Sequence, residues 1–179
     1  MRVLPLAVLT AAAALTLSAC DSGGADKKDS GGSTATAASS GVCAIDGIDF
    51  EVGPANTAPA AGDTGNVPVT LTNHGGRCTL EGFPGIEVQD SAKGTEVFAD
   101  KSAKPQKITL AKDGTASFTI TYVRGSAGDA KSLDATSLKI SLPGAKDARR
   151  FKWSYGPLAG KTGPDDLNAS VSTFQPAGD

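Results

Sequence analysis

The chain has 179 residues, of which 39% are hydrophobic and 20% are charged, and its formal net charge is −2. This mildly acidic balance argues against a nucleic-acid partner, which would need an excess of Lys and Arg on one face. A single His and a single Met argue against a dedicated metal site, because soft and borderline metals prefer imidazole and sulfur ligands. We therefore expect no metal and no cofactor.

The first nineteen residues have the pattern of a bacterial export signal. Met1 and Arg2 give a positive start, and residues 3–17 form an apolar run that is too short to span a membrane. Residues 17–20, Leu-Ser-Ala-Cys, resemble the bacterial lipobox. In a lipobox the signal peptidase cuts the bond directly before the cysteine, and the thiol of that cysteine receives a diacylglyceryl group. We predict a signal peptide over residues 1–19 and lipidation of Cys20. The alternative is an ordinary secretory signal that leaves Cys20 free.

Residues 21–42 follow as a predicted linker. They are dominated by Gly, Ser, Ala and Thr with a few Asp and Lys residues, and residues 21–41 contain no aromatic or large aliphatic side chain to bury. Such a composition predicts a flexible, disordered segment. The lipid on Cys20 and this linker would hold the domain on the outer face of the bacterial cytoplasmic membrane.

The cysteine count agrees with an extracytoplasmic location. The chain has three cysteines, and lipidation of Cys20 leaves Cys43 and Cys78. Outside the cytoplasm two such cysteines usually form a disulfide, which we predict here. Closing a loop of this length would stabilise the fold by about 3–4 kcal/mol in the chain-entropy model. The alternative is a pair of unlinked buried thiols.

Alternation of apolar and polar residues, which is typical of half-buried strands, is the main pattern after residue 43. The clearest predicted strands are residues 67–72, 116–122, 138–142 and 151–155. Weaker ones are residues 45–52, 86–88, 96–99, 107–110 and 171–174. Gly and Pro pairs separate them as turns. Pro68 predicts an edge strand or a strand start, because proline cannot donate to a central ladder.

Many short strands with one buried face each predict two packed antiparallel sheets. Residues 43–179 are accordingly predicted to form one all-β domain, an immunoglobulin-like antiparallel β-sandwich. The stretch of residues 73–85, with its Cys78-Thr79-Leu80 and Gly82-Phe83-Pro84-Gly85 segments, also resembles a known family.

That family consists of secreted actinobacterial lipoproteins with a domain of unknown function, number four-two-three-two. The resemblance spans most of the domain. Its other matching positions are Cys43, Gly62, residues 71–73 and residues 114–116. Many members have a further cysteine pair in the second half, which this chain lacks, so a function tied to that pair would not carry over. The resemblance supports the fold and the location, and it implies no activity.

No catalytic residue is predicted. His74, the only histidine, lies in a Gly-rich turn, and no G-x-S-x-G nucleophile elbow occurs. A pair of carboxylates held roughly 5–10 Å apart would suit glycoside hydrolysis. The carboxylates that the sequence offers for this are Glu81, Glu87, Asp90, Glu96 and Asp100, and we interpret them as solvated surface groups.

Three further segments have an interpretation that does not involve catalysis. Residues 150–155 interleave aromatic and cationic side chains, which fits either a strand with Phe151, Trp153 and Tyr155 in the core or a sugar- or peptide-binding strip. We favour the core for Trp153. Residues 63–66 are too short a fragment of a calcium loop, and the glycosylation triplet at Asn168 is discounted in a bacterial lipoprotein.

Two functions remain from these observations. The first is a membrane-anchored, non-catalytic binding or adaptor module that uses loops at one end of the sandwich to bind a cell-envelope protein or glycan. The second is an envelope hydrolase that acts on glycan or peptide through a carboxylate site. The sequence favours the first because an anchor and a linker are present and no catalytic motif is recognisable.

Overall fold

A computed structural model describes residues 41–177, which are built almost entirely from β-strands and turns. A single 3₁₀ turn, Ile45–Gly47, precedes the second strand. The strands are β1 (Gly41–Val42), β2 (Ile48–Val52), β3 (Thr64–Asn73), β4 (Cys78–Leu80), β5 (Gly85–Gln89), β6 (Gly94–Val97), β7 (Ile108–Leu110), β8 (Thr115–Val123), β9 (Ser132–Leu133), β10 (Ser137–Ser141), β11 (Ala148–Lys152), β12 (Leu158–Ala159), β13 (Ala169–Val171) and β14 (Gln175–Pro176).

Two sheets form the body of the domain. One has the order β13-β8-β3-β2, and the second has the order β11-β10-β5-β6. In the first sheet β14 pairs with the first half of β8 and β13 with the second half. All pairs in these two sheets are antiparallel. Two small sheets complete the fold: β1-β4-β7, in which β1 and β4 are parallel, and β12-β9.

The core lies between the two larger sheets because every second residue of their central strands faces inward. In β3 and β8 the buried and half-buried positions alternate over the whole strand, and β5 and β10 repeat the pattern. Aromatic contacts join the sheets: the Phe50 and Phe151 rings are 6.2 Å apart, and the Tyr122 and Trp153 rings are 5.2 Å apart. The prediction of an all-β sandwich is confirmed.

Three of the four clearest predicted strands coincide with β3, β8 and β10. The fourth, residues 151–155, is wrong in its bounds, because β11 begins at Ala148 and ends at Lys152. The exposed Ala148, Arg149 and Arg150 carry no alternation that a sequence pattern would detect. The weaker predictions overlap β2, β5, β6 and β7 with shifted ends, and residues 171–174 run from the end of β13 towards β14.

The position predicted for Pro68 is also wrong, since β3 is a central strand with β2 on one side and β8 on the other. The Pro68 carbonyl accepts a hydrogen bond from the Gly53 N–H, so the missing donor of Pro68 faces the same side. β2 has already ended at Val52 there. The proline is tolerated because its missing N–H falls where the ladder with β2 stops.

The predicted disulfide is confirmed. Cys43 and Cys78 are bonded, with their Cα atoms 4.8 Å apart, and the Cys43 N–H donates to the Thr79 carbonyl. Gly41 and Val42, the last two positions of the predicted linker, pair with Cys78 and Thr79 as β1. The bond thus fixes the first described residues to β4.

Candidate functional site

Three long loops lie together at one end of the sandwich. Residues 53–63 connect β2 to β3, residues 124–131 follow β8, and residues 156–168 lead to β13. The described chain begins at the opposite end, where Val42 lines a shallow hollow together with the turn between β10 and β11, residues 143–147. We call the three loops the distal loops, and we call the opposite end, where the described chain begins, the entry end.

The distal loops are joined to one another by their backbones. The Arg124↔Leu158 bridge and the β12–β9 pair belong to the same layer. The other links are hydrogen bonds from an N–H to a carbonyl oxygen: Gly62 to Arg124 (2.8 Å), Arg124 to Asp63 (2.8 Å), Gly125 to Pro157 (2.9 Å) and Gly160 to Lys131 (2.8 Å). Because these backbone groups are paired within the protein, the loops form one ordered layer rather than three independent segments.

Arg124 holds the first distal loop from the end of β8. Its Nη1 atom donates to the Ala58 carbonyl at 2.7 Å and to the Pro59 carbonyl at 3.3 Å, and Ala58 is fully buried. Gly156 gives the guanidinium room, because a Cβ at that position would lie 3.1 Å from Arg124 Nε. Arg124 was not predicted as a functional residue from the sequence. A lone Arg after a strand has no pattern that distinguishes an anchoring cation from a solvated one.

An aromatic cluster lies beneath the distal loops. The Trp153 ring contacts Tyr122 and Tyr155 edge-on, with centroids 5.2 and 4.9 Å away. Trp153 Nε1 donates to the Gly156 carbonyl at 2.6 Å, and the Tyr122 hydroxyl donates to the Tyr155 carbonyl at 2.8 Å. Trp153 is only 3% exposed. The core interpretation of Trp153 is therefore confirmed, and the binding-strip interpretation of residues 150–155 is not supported.

Two details show how closely this cluster is packed. A Cβ on Gly65 would come within 2.5 Å of the Tyr122 ring, so only glycine fits beneath it. Desolvation raises the pKa of the Tyr155 phenol above its ordinary value of 10.0, and the neighbouring Tyr122 phenol raises it further. The cluster gives the distal loops a rigid apolar floor.

The single histidine lies at the entry end, away from the distal loops. His74 Nδ1 is 3.4 Å from an Asp113 carboxylate oxygen, and the two side chains are 58% and 66% exposed. An open pair of this kind contributes about 0–1 kcal/mol. Asn73, beside it, is buried instead. Its Nδ2 donates to the carbonyls of Gly76 and Ala111, both at 2.9 Å, and its Oδ1 accepts from the Gly75 N–H.

The five carboxylates named from the sequence are mostly dispersed. Glu81 is exposed, and Asp90 and Asp100 each accept hydrogen bonds within their own turns. Those bonds lower the pKa values of both: for Asp90 the Lys93 and Ala92 N–H groups are the main donors, and for Asp100 the donors are the hydroxyl and N–H of Ser102. These two side chains stabilise turns.

Glu87 and Glu96 are the exception, because they are direct partners across β5 and β6. Cross-strand partners have Cβ atoms roughly 5 Å apart on one face. Glu87 lies 3.2 Å from Lys139 Nζ, and both glutamates line a shallow groove on the open face of the sheet. The pair is the one place where two of these five carboxylates are neighbours, and it lies on a solvated surface.

The polar side chains of residues 63–66, the fragment of a calcium loop, make separate hydrogen bonds within the protein. Asp63 Oδ2 accepts from the Ala60 N–H, and Asn66 Oδ1 accepts from the Thr121 hydroxyl at 2.8 Å. Within residues 41–177, no group of three or more His, Cys, Asp or Glu side chains is placed to hold a metal ion. Asn168, the acceptor of the discounted glycosylation triplet, is exposed in the last distal loop.

The predicted signal peptide, the lipidated Cys20 and most of the linker lie outside the described residues. Over the part of the chain that the structure describes, no helix has the length and apolar character needed to cross a membrane.

Comparison with known proteins identifies one family. No curated protein and no solved structure matches the chain. The family model described as "Domain of unknown function (DUF4232)" matches residues 43–175, which is most of the chain and nearly the whole sandwich. The protein therefore belongs to the DUF4232 family.

Proposed function

We propose that this protein is a lipid-anchored, non-catalytic binding module of the bacterial cell envelope. A lipid on Cys20 holds it on the outer face of the cytoplasmic membrane, and the linker of residues 21–42 separates the sandwich from the lipid surface. The distal loops bind an envelope protein or glycan.

The observation that carries the proposal is the arrangement of the two ends. The chain enters the sandwich at Gly41, and the three interlinked distal loops lie at the opposite end. A domain held by its N-terminus therefore presents these loops away from its attachment. Loops that are already ordered lose little conformational entropy on binding, and loops on a rigid scaffold commonly carry recognition.

The chemistry of the distal loops suits a polar ligand. Between small exposed Ala and Pro residues, these loops present several exposed hydrogen-bonding side chains: Asn56, Thr57, Ser126, Asp129, Lys131, Thr162 and Asn168. Hydroxyl, amide and charged groups of both signs recognise sugar hydroxyls and peptide groups by hydrogen bonds. Such a surface supports the envelope protein or glycan as ligand.

The anchor is tested by replacing Cys20 with Ser. The variant should leave the membrane fraction, or remain uncleaved, and should lose labelling by an alkynyl fatty acid, because the thiol that accepts the lipid is gone. Ser22→Ala, which changes a neighbouring residue outside the lipobox, is the matched control and should behave as the wild type. Retention of a cleaved Cys20→Ser protein in membranes would refute the anchor.

The binding surface is tested with a photo-cross-linking amino acid in intact cells. Placed at Thr57, Asp129 or Thr162 in the distal loops, it should give an adduct with one envelope component. The same probe at Lys112 or Asp147, exposed positions at the entry end, is the control and should not give that adduct. Equal adducts from both ends would contradict the assignment of the site.

The alternative of an envelope hydrolase has one specific observation in its favour, the Glu87–Glu96 pair beside Lys139. A general acid would need its pKa raised by burial, whereas Glu96 is exposed and Glu87 is paired with a cation. The test is release of soluble fragments from purified cell wall. Activity that disappears in Glu87→Gln and Glu96→Gln variants would replace the binding proposal.

A further inference from the structure

Both larger sheets end in an edge strand at the same side of the sandwich. β2 ends one sheet, β11 ends the other, and the Phe50 and Phe151 rings meet between them at 6.2 Å. An edge strand leaves a row of backbone N–H and C=O groups without a partner strand, so it is an available docking element. A groove of about 350 Å³ runs between the two edges, with Asp46 and Arg149 in an ion pair of 3.1 Å on its wall.

The two edges have opposite charge. Asp49 and Glu51 lie on the outer face of β2, Arg150 and Lys152 lie on the outer face of β11, and all four are exposed. Two of them also have partners in their own sheet: Asp49 Oδ1 accepts from the Phe50 N–H at 2.9 Å, and Arg150 Nη1 donates to Gln89 Oε1 and to Ser137 Oγ. We call the first pair the acidic rim and the second the basic rim. Packed sheets lie about 10 Å apart, so this side of the domain has a negative strip along one sheet and a positive strip along the other, with the groove between them.

We propose that this side is the interface of a symmetric dimer, and that its occupant is a second copy of the chain. A twofold axis parallel to the strands places the acidic rim of each copy against the basic rim of the other. A twofold axis across the strands, in the plane of the interface, places like charge against like charge. Charge complementarity therefore selects the first arrangement and opposes the second.

The same axis has a consequence for the orientation of the two chains. An axis parallel to the strands leaves the entry ends of both copies, where Gly41 and Val42 lie, on the same side of the dimer. Two lipid anchors in one membrane need that orientation. This supporting argument rests on the proposed anchor, whereas the charge argument does not. Attachment to a common membrane also raises the effective concentration of one copy for the other.

The interface is tested with a zero-length carbodiimide, which joins a carboxylate to an amine in an ion pair. Full-length protein is purified in detergent from ¹⁴N and ¹⁵N cultures and mixed before reaction. A peptide linking Asp49 or Glu51 to Lys152 should appear with mixed isotopes, because the two side chains come from different copies. Sedimentation of the same samples should show a dimer. A monomer without the mixed cross-link would refute the proposal.

Charge reversal gives a second, independent test. Asp49→Lys with Glu51→Lys makes both rims positive, and Arg150→Glu with Lys152→Glu makes both negative. Each double variant alone should lose dimer formation by about tenfold or more, and a mixture of the two should recover it, because opposite rims then face each other. Recovery also shows that both variants fold.

The matched control is reversal of two exposed lysines on the opposite side of the domain, Lys101→Glu with Lys161→Glu, which should leave the dimer unchanged. Dimers that persist in both rim variants alone, or a mixture that stays monomeric, would overturn the proposal. Because these measurements use detergent-solubilised protein and no envelope ligand, their failure is distinct from failure of the anchor or of the distal binding site.

Discussion

The entry end and the distal end of the sandwich are stabilised by different interactions. At the entry end the Cys43–Cys78 bond and the hydrogen bonds of the Asn73 amide fix the loops, and the exposed surface is rich in charge. At the distal end the Trp153 cluster closes the core from inside, and the Arg124 guanidinium holds the loop above it. The entry end relies on a covalent bond and polar contacts, and the distal end combines apolar burial with hydrogen bonds between its loops.

This difference predicts unequal responses to the same perturbations. Apolar burial does not depend on redox conditions, so the distal end should remain ordered when the disulfide is reduced. A disulfide acts largely by restricting the unfolded chain, so its loss should lower the stability of the whole domain without loosening the distal loops first. A site on the distal loops is therefore supported by the part of the fold that depends least on its surroundings.

The largest effect is expected for Trp153→Ala. Trp153 is 3% exposed and lies between two tyrosines, so truncation removes buried surface and leaves a cavity, which costs about 3–5 kcal/mol. The melting temperature should fall by about 10 °C or more. Phe98→Ala is the matched control, because Phe98 is 56% exposed and its loss should cost about 0.5 kcal/mol or less. Melting of Trp153→Ala within a degree or two of wild type would contradict the assigned packing.

The next largest effect is expected for the disulfide. Replacing Cys43 and Cys78 together with Ser should lower the free energy of unfolding by about 3–4 kcal/mol, because the cross-link closes a loop with a sequence separation of 35 residues. Reductant should lower the melting temperature of the wild type and leave the double variant unchanged, which is the control for non-specific effects. Mass spectrometry of the non-reduced wild type should find one linked peptide. Full alkylation of both thiols without reductant would disprove the bond.

A smaller effect is expected for Asn73→Ala. The variant removes the hydrogen bonds that the buried Asn73 amide donates to the carbonyls of Gly76 and Ala111, which costs about 1–2 kcal/mol. Hydrogen exchange should speed up in residues 74–77 and 111–114, and the distal loops should keep their protection. Asn56→Ala, at an exposed position, is the control. Equal loosening of both ends would show that they are not independent.

The fold was largely predictable from the sequence because alternation is a local property. The buried face of β8, from Ala116 to Tyr122, can be recognised without any knowledge of its neighbours. β4 was missed because all three of its residues are buried and show no alternation. Pro68 was misplaced because the strand beside it ends one residue before the partner position, a fact about pairing that a single strand does not contain.

The sites were less predictable because they depend on residues that are distant in the chain. The disulfide followed from cysteine parity and the predicted compartment, and the burial of Trp153 from the alternation of residues 151–155. The Arg124 contact with Ala58 spans 66 positions, and the opposite rims of β2 and β11 become neighbours only when the two sheets pack. Periodicity indicates which face of a strand is buried, but it does not indicate which strands become edge strands on the same side of the sandwich.

The smallest predicted effect concerns pH and separates the distal cluster from the rest of the fold. Burial holds the pKa of Tyr155 above that of an unfolded tyrosine, so the folded protein keeps the phenol proton more tightly. The resulting stabilisation is complete below pH 10 and is lost as the pH rises through the folded pKa. Tyr155→Phe has no such proton to lose. Its free energy of unfolding should therefore fall less steeply than that of the wild type above pH 10.

The measurement is chemical denaturation at several pH values from 8 to 12, together with absorbance titration of the phenols. The chain has two tyrosines, so the titration step that disappears in Tyr155→Phe belongs to Tyr155. Lysines titrate in the same range, but they are common to both proteins and cancel in the difference. Identical pH slopes for the two proteins would mean that the Tyr155 phenol is as well solvated in the folded state as in the unfolded chain. The aromatic cluster beneath the distal loops would then be more accessible to water than the contact between the Tyr155 and Trp153 rings implies.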